Sequence, residues 1–419
     1  MFTSIADYDD LRENILLLVN DYMHLNSGQY IQPNLHDNAA RDLTAIFLLT
    51  LKPVLGADAD TEEMIRTNVE ESLSRFYKHI APQRSNGPSF IRVKPNLAKL
   101  RAKINYLQSV PQPEQRTPEW YAFRYQHLTA SNIWKIFISD STRNQLIYEK
   151  CQPLNTSKYS TNVSLESPMH WGQKYEPLSV MLYEELYAAK VSDFGCIPHR
   201  TLEFLAASPD GIVTDEKSLR YGRMLEVKNI FNREITGTPK MEYWVQMQLQ
   251  MEVCELNECD FLETRFKEYA DQDAFEADAA AEPDEKRGML MLFMTGDGKP
   301  VYEYAPLNIC PGNSLGNSLG NMYESWQEEM MEKNKALMWV KNIYWKLDEL
   351  SCVLVLRNKF WFAAALPQIK DIWAPIEKET ETGYSHREPK KNNTLRVKKL
   401  QPDEDTLLTT QCFIQTHTL

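Results

Sequence analysis

Two short apolar runs, each broken by an acid, constrain this chain more than any other feature: Ser208-Pro209-Asp210-Gly211-Ile212-Val213 and Met224-Leu225-Glu226-Val227-Lys228. Phe204 to Ala207 precede the first acid, and Met224, Leu225, Val227 and Ile230 enclose the second. Such runs read as short, mostly buried strands, joined by a polar hairpin over Thr214 to Gly222. In a strand, residues two apart share a face, so Glu226 and Lys228 project together while Val227 turns into the core. If the strands pair antiparallel, Asp210 lies close to Glu226. Two carboxylates and an ammonium on one sheet face are costly to desolvate unless a cation is shared among them. The arrangement suits a hard divalent ion with a water held beside the lysine. The same residues also fit an ordinary Asp-Gly turn and a solvated Glu-x-Lys pair, so the neighbouring segments must decide.

At 419 residues, with 43% hydrophobic and 25% charged residues, the chain suits two or more soluble globular domains. Eighteen consecutive apolar residues occur nowhere, so no membrane span is expected. The acidic start, Met1 to Asp10, lacks the pattern of a signal peptide. Seven scattered cysteines without a Cys-x-x-Cys argue for a reducing, intracellular compartment and against zinc or iron–sulfur sites. A net charge of -12 lowers the expectation of nucleic-acid binding, yet a basic groove can coexist with an acidic exterior.

The region 1–110 reads as helical and accessory. Leu11, Ile15, Leu18 and Met23 fit one helix face, and Met64, Val69, Leu73 and Phe76 another. After a linker at Val110 to Gln115, Thr117 is a good N-cap with Pro118 at the first helical position, placing Arg124 about two turns into a short helix. Leu128 to Ser131 is expected to open a further helix, with Ser131 near a phosphate-favouring N-terminus. A polar loop is expected from Asn155 to Ser167. A helix from about Pro177 to Ala189 would put Glu176 at its start, where the dipole favours an acid. A strand from Asp193 to Pro198 would complete a three-stranded meander. The segment Tyr243 to Met251 reads as a helix covering the sheet, with Gln246 and Gln250 on one face and Gln248 elsewhere. Locally, Arg124 also fits a surface residue, Ser131 a cap and Glu176 a dipole partner.

A strand from Asp260 to Phe266 is followed by an acidic, solvent-exposed insertion from Asp271 to Lys286. Met289 to Met294 and Pro300 to Tyr304 form a hairpin around Gly296-Asp297-Gly298. The repeat from Gly312 to Gly320 reads as a flexible connection, with helices from Tyr323 towards Leu347. Val353 to Leu356 and Phe360 to Leu366 are buried runs. The basic cluster Arg387, Lys390, Lys391, Arg396, Lys398 and Lys399 reads as a solvated tail, with nuclear import or phosphate contact as alternatives.

The order Arg124, Ser131, Glu176, Asp210, Glu226-x-Lys228, Gln246 resembles the PD-(D/E)xK nucleases, in the branch that includes phage lambda exonuclease. Arg-x6-Ser, Trp-Gly-x3-Glu, Ser-x-Asp-Gly, Glu-Val-Lys and Tyr-x2-Gln-x-Gln-x2-Met occur in that branch's order, within residues 116 to 266. The flanking regions and the length look like the baculovirus alkaline nucleases. The resemblance implies an α/β, restriction-endonuclease-like fold: a central mixed sheet flanked by helices, with an N-terminal helical region and a C-terminal mixed extension. The organisation is then 1–110 accessory, 111–305 nuclease core and 306–419 extension with a basic tail.

By the same resemblance, Asp210, Glu226 and the Val227 carbonyl hold Mg²⁺, with Glu176 completing the cluster. Two ions are expected, and Mn²⁺ as a substitute. Lys228 orients or deprotonates the attacking water, and Gln246 helps to position it. Arg124 and Ser131 match residues that grip a 5′ phosphate, assisted by Ser208. The implied activity is 5′→3′ exonuclease digestion of double-stranded DNA, leaving 3′ tails for viral recombination, replication and genome maturation. An alkaline optimum fits a lysine that works best when partly deprotonated. The implied partners are duplex DNA and a viral single-strand-binding or annealing protein, in the host nucleus, with no membrane; a homo-oligomer is compatible. The alternatives are a structure-specific or non-specific endonuclease on the same fold, and a DNA-binding module without cleavage. The iron–sulfur relatives lack their cysteine cluster here.

Overall fold

The structure, a computed structural model, describes residues 5–55, 59–89, 95–154, 165, 167–309 and 319–389. Among these, eight strands form a central sheet. Its order is β10 (Pro300–Tyr304), β9 (Arg287–Met294), β11 (Met338–Leu356), β8 (Glu258–Glu268), β7 (Met224–Asn229), β6 (Gly211–Val213) and β3 (Val191–Ser192). The eighth, β1 (Asn86–Pro88), pairs with the far end of β11. Strands β7 and β8 run parallel and the other pairs antiparallel, so the sheet is mixed. A second sheet of three short strands, β2 (Leu128–Thr129), β5 (Leu205–Ala207) and β4 (Ile197–Pro198), lies beside it. Helices flank the central sheet on both faces, giving the restriction-endonuclease-like architecture expected from sequence.

Strand alternation sorts the two faces. Val213, Leu225, Val227 and Leu262 pack with Tyr183 of α7 (Pro168–Tyr187). Ile212, Met224 and Phe261 face the other way, packing with Trp244 and Val245 of α8 (Met241–Val253) and with α11 (Lys359–Thr382). Each fully buried large apolar side chain contributes roughly 1.5–3 kcal/mol. Glu226 and Lys228 continue the Met224 row and therefore point towards α8.

The N-terminal helices α1 (Ile5–Leu25), α2 (Leu35–Leu55) and α3 (Ala59–His79) pack together, and their core continues into α11. Leu11, Ile15, Met23, Val69, Leu73 and Phe76 are all buried, as their spacing predicts. A fourth helix, α4 (Leu97–Ser109), precedes the linker. In the hairpin between β6 and β7, Gly222 has φ +79°, and a Cβ there would meet Leu100 of α4 at 2.9 Å. That hairpin is less polar in its role than its composition suggests. Arg220 and Arg223 turn inwards and pair with Asp260 of β8, which is fully buried and also accepts from Tyr183.

Several expectations need correction. Residues 193–198 do not make one strand of a meander: Val191–Ser192 pairs with β6, whereas Ile197–Pro198 pairs with β5 in the second sheet. Leu128–Thr129 is a strand, and only a five-residue 3-10 turn, Ile133–Phe137, follows Ser131. Ser131 therefore has no α-helix dipole behind it. Helix α7 begins at Pro168, capped by Ser167 accepting from the His170 N–H, so Glu176 lies in mid-helix and Pro177 inside it. An interior proline forfeits one backbone bond, and here the burial of Tyr175, Leu178, Leu182 and Tyr183 outweighs it.

The acidic insertion is a helix, α9 (Gln272–Ala281), capped by Asp271 and anchored by buried Phe275. Met338–Leu356 is a strand rather than a helix, pairing with β8 on one side and β9 on the other. Helix α10 (Leu319–Lys333) ends before it. Strand β8 is longer than expected, and the β9–β10 hairpin is as expected. Phe360 to Leu366 lies in α11. Arg387 is not part of a free tail, since it pairs with Glu379 and donates to Asn144. The other five basic tail residues, most of the Asn155 to Ser167 loop and residues 312–318 of the Gly312 repeat lie outside the described residues, while Leu319 and Gly320 open α10. Cys151, Cys196, Cys254, Cys259 and Cys352 are free thiols. No helix among the described residues is long and apolar enough to cross a membrane.

Phe275 sits 5.0 Å from the Tyr344 ring and 5.5 Å from Tyr269. Phe275→Ala should cost about 3 kcal/mol or somewhat more, as for other buried phenylalanines. A lowered urea midpoint checks this; a solvent-exposed insertion would show no change.

Candidate active site

Six of the residues singled out by sequence, Arg124, Ser131, Glu176, Ser208, Asp210 and Gln246, line one open cavity of about 180 Å³. Glu226, Val227 and Lys228 adjoin it through Asp210. The reason lies in strand lengths. Strand β6 pairs with β7 only through Gly211–Leu225 and Ile212–Met224. Past Leu225, β7 stays paired with β8 alone, and its other edge opens towards Asp210. There the Val227 N–H donates to Asp210 Oδ2 at 2.7 Å. A residue's N–H and C=O lie on the same edge of a strand, so the Val227 carbonyl faces this opening too.

Glu226 is 0% exposed. One of its oxygens accepts from the Lys228 ammonium, and Oε2 accepts from Gln250 Nε2 at 2.7 Å. The same Gln250 amide reaches the Ser208 carbonyl at 3.2 Å, while its Oε1 is buried without a hydrogen-bond partner. Lys228 also lies 5.0 Å from the centre of the Tyr243 ring. Burial pulls the Lys228 pKa down, but Glu226 and Asp210 outweigh it, and the amine is held above its ordinary value as an ammonium. Asp210 opens partly onto the cavity, yet burial raises its carboxyl well above the usual range, and the charges of Glu226 and Glu176 add to this. Glu176 is also raised by burial, with the Arg116 guanidinium, 2.8 Å away, opposing the shift.

Two cations thus face three carboxylates. Among the described residues no group of three or more His, Cys, Asp and Glu side chains converges tightly enough to cage a metal ion. Each carboxylate is turned towards its own internal partner instead. The donor chemistry nonetheless fits a hard divalent cation: carboxylate oxygens, a strand-edge carbonyl, surplus negative charge and an orphaned amide oxygen beside Glu226.

The phosphate-gripping candidates form a second group. Arg124 Nη2 donates to Ser131 Oγ at 2.7 Å, and its guanidinium lies 4.2 Å from the Trp120 ring, one turn earlier on α5 (Pro118–Tyr125). The expected Thr117 cap and Pro118 start are both present. Trp120 Nε1 donates to Ser208 Oγ at 3.1 Å, tying α5 to the segment before Asp210. Gln248 faces away, donating to the Leu356 carbonyl and accepting from the Asn358 N–H.

Sequence reasoning missed four neighbours. Gln115, Arg116 and Trp120 line the same cavity, and Gln250 rather than Gln246 holds Glu226. The spacing Gln246–Gln250 had put both glutamines on one face, which was the available signal. Gln115 and Arg116 lay in a stretch read only as a linker and its edge.

A mixed sheet carries an acid just before one strand and Glu-x-Lys on the next, the arrangement expected from the resemblance to the PD-(D/E)xK nucleases. Residues 119–257 match the model of the YqaJ-like viral recombinase domain, and that segment holds both strands. An uncharacterized protein of Acanthamoeba polyphaga mimivirus is 26% identical over 332 residues, which cover 71% of this chain and 58% of that protein. The match thus spans less than two thirds of that relative's length. Among solved structures, an alkaline exonuclease from Laribacter hongkongensis is similar with a TM-score of 0.36 and 18% identity, over 64% of this chain and 95% of that one. A phage-related exonuclease from Haemophilus somnus 129PT gives a TM-score of 0.31 and 11% identity, over 62% and 97%.

Behind Arg124, the Lys150 amine on α6 (Asp140–Cys151) donates to the carbonyls of Arg124 at 2.7 Å, Tyr125 at 3.0 Å and also His127. Burial, helped by the nearby Arg124 charge, pushes this amine down to about 7. A lysine depressed in the folded state binds fewer protons than the unfolded chain between about 7 and its ordinary value of 10.5. Stability should therefore climb with pH across that window. Thermal melts of wild type and Lys150→Met from pH 7 to 10 test this: the climb should flatten in the variant.

Proposed function

We propose that this chain is a metal-dependent DNA nuclease, most specifically a 5′→3′ exonuclease on duplex DNA that leaves 3′ single-stranded tails. The observation that carries the reading is the pairing of Asp210 with the Val227 N–H beside a buried Glu226–Lys228 pair, on adjoining strands that open into a shared cavity. Asp210, Glu226, the Val227 carbonyl and Glu176 are the groups that would hold Mg²⁺, with Mn²⁺ as a substitute and room in the donor set for two ions. When bound, the metal supplies the positive charge that a phosphodiester needs as negative charge grows on its phosphoryl oxygens.

The chain's own residues do the rest. Lys228, held as an ammonium, donates to the attacking water and fixes it near the acids. Gln246, on the cavity wall, helps to position that water. Gln250 keeps Glu226 in one orientation. Arg124 and Ser131, already joined to each other, offer a guanidinium fork and a hydroxyl to a terminal 5′ phosphate, with Ser208 beside them. Gripping that end selects the 5′ terminus and sets the direction of digestion. An alkaline optimum, expected from the resemblance, belongs to the same reading.

The wider setting belongs to the same reading. The core at 111–305 does the chemistry, the helical region at 1–110 is accessory, and 306–419 is an extension. The partners are duplex DNA and a viral single-strand-binding or annealing protein, and the place of action is the nucleus of an infected cell, as for the baculovirus alkaline nucleases it resembles. Tail-making by such an enzyme serves recombination, replication and genome maturation.

Lys228→Ala and Asp210→Asn should each lower digestion of linear duplex in Mg²⁺ by about 100-fold or more, and chelation should abolish it in wild type. Asp210→Asn should at the same time melt higher than wild type without metal, because an amide still accepts the Val227 N–H without repelling Glu226. Undiminished hydrolysis in both variants would overturn the proposal. Wild type should digest 5′-phosphorylated ends faster than 5′-hydroxyl ends, and Arg124→Ala should erase the difference. Supercoiled circular DNA should stay intact; its nicking would favour the endonuclease alternative.

A further inference from the structure

Arg116 has not been given a task, and its placement is unusual in three respects. Its backbone is left-handed, with φ 67°, a region that a residue with a Cβ seldom occupies without something holding it there. Both neighbours are tied down. Gln115 Nε2 donates to the carbonyls of Phe194 at 2.9 Å and Pro209 at 3.2 Å. Thr117 caps α5 by accepting from the Trp120 N–H at 3.2 Å. The strained turn thus aims Arg116 into the cavity that Arg124, Ser131 and Asp210 share, where its Nη2 meets Glu176 Oε2 at 2.8 Å. The Arg116 side chain stays 47% exposed while that of Glu176 is 27% exposed, so the guanidinium sits on the open side of the pair.

An exposed ion pair of this kind contributes little to stability, and it does not explain a strained backbone. A cation standing at the mouth of an acidic phosphodiester site has a further use. A divalent cation and an arginine compete for the same carboxylate, and like charges repel when both are present. An arginine displaced from Glu176 stays in the same cavity, within reach of a phosphate that arrives with the metal.

We propose that Arg116 is a positioning residue that changes partner: it neutralises Glu176 while the site is empty, and passes to a DNA phosphate, beside Arg124, when a divalent cation takes Glu176. The inference rests on the nuclease reading above and adds to it a residue that links metal uptake to substrate grip.

Arg116→Gly tests it, since glycine accepts the left-handed backbone while the guanidinium is lost with its side chain. Mg²⁺ binding without DNA, read by titration calorimetry, should tighten by roughly fivefold, the weight of one partly exposed ion pair. Binding of a duplex with phosphorothioate ends in Mg²⁺ should weaken, and the slope of log affinity against log salt should fall by about 0.9, one phosphate contact. In chelator the two slopes should coincide. A merely structural residue would weaken both ligands, or neither, and either result overturns the proposal. Arg116→Lys keeps the charge without the fork and should fall between the two on both readouts, which carries the test if the glycine variant melts early. A wild-type chain that takes up neither Mg²⁺ nor duplex overturns the nuclease reading and this inference together. Wild type doing both, with Arg116→Gly indistinguishable from it, overturns this inference alone.

Discussion

A carboxylate with no exposure, Glu226, held between the ammonium of Lys228 and the amide of Gln250, is the interaction on which the rest of this structure turns. Removing one partner from a buried pair typically costs about 3–5 kcal/mol, because the remaining charge is left in a poor medium. The sheet must therefore deliver both partners together. It does so through period-two alternation on β7, which puts Lys228 beside Glu226, and through α8, which lies across that face and brings Gln250 and Tyr243 to the same place. Hydrophobic packing of Met224, Trp244 and Val245 sets the distance between strand and helix. The polar groups then have little freedom left to lose, so the constellation is preorganised before any ligand arrives.

The acids that cluster here also oppose one another, and the fold tolerates that opposition locally. Asp210 is raised by burial and by its neighbours, Glu176 by burial, and neither shift would survive in water. Stability lost in this way must be supplied elsewhere. The network of Arg220, Arg223, Glu258, Asp260 and Tyr183 lies on the α7 face of β7 and β8, where two guanidiniums meet two carboxylates and are hydrogen-bonded. One sheet thus carries a compensated ionic network on its α7 side and an uncompensated cluster at the open edge of β7, with Glu226 facing α8 and Glu176 reaching in from α7. The second lines an open cavity beside Arg124 and Ser131, which is where a charged ligand can be recruited.

How much of this was legible in the sequence depended on the range of the forces involved. The two acid-bearing strands, the Thr117–Pro118 helix start and the N-terminal helices could be read because strand alternation, capping and 3.6-residue periodicity are local. The same locality misled at Pro177, which looks like a helix start but lies inside α7, since the stronger Ser167–Pro168 cap sits about two and a half turns upstream. It misled again at Met338–Leu356, where pairing with β8 and β9 on both sides overrides any local preference, and at α9, whose acidic surface hides buried Phe275 and Ala279. Gln250 was visible as a face-sharing partner of Gln246, but which of the two would reach Glu226 depends on how α8 crosses the sheet. Arg116 was invisible: a left-handed arginine at the edge of a linker has no sequence signature, because its conformation is imposed by what Gln115 and Thr117 bind.

The seam between the two sheets explains why the groups proposed to grip and to cleave sit together. The chain leaves β5 of the small sheet at Ala207, passes through Ser208 and Pro209, and enters the central sheet at β6. In those few residues it crosses from the layer that carries Ser131 to the layer that carries Asp210 and Glu226. Ser208 is held by Trp120 of α5, the Pro209 carbonyl by Gln115, and the Ser208 carbonyl by Gln250 of α8. Three elements with separate duties therefore meet on one short connection. A shift of the layer that carries Ser131 relative to the acids would have to break all three hydrogen bonds at once. On the proposed function, the register between a bound phosphate and the acids is thus set by this short connection and the three side chains that hold it.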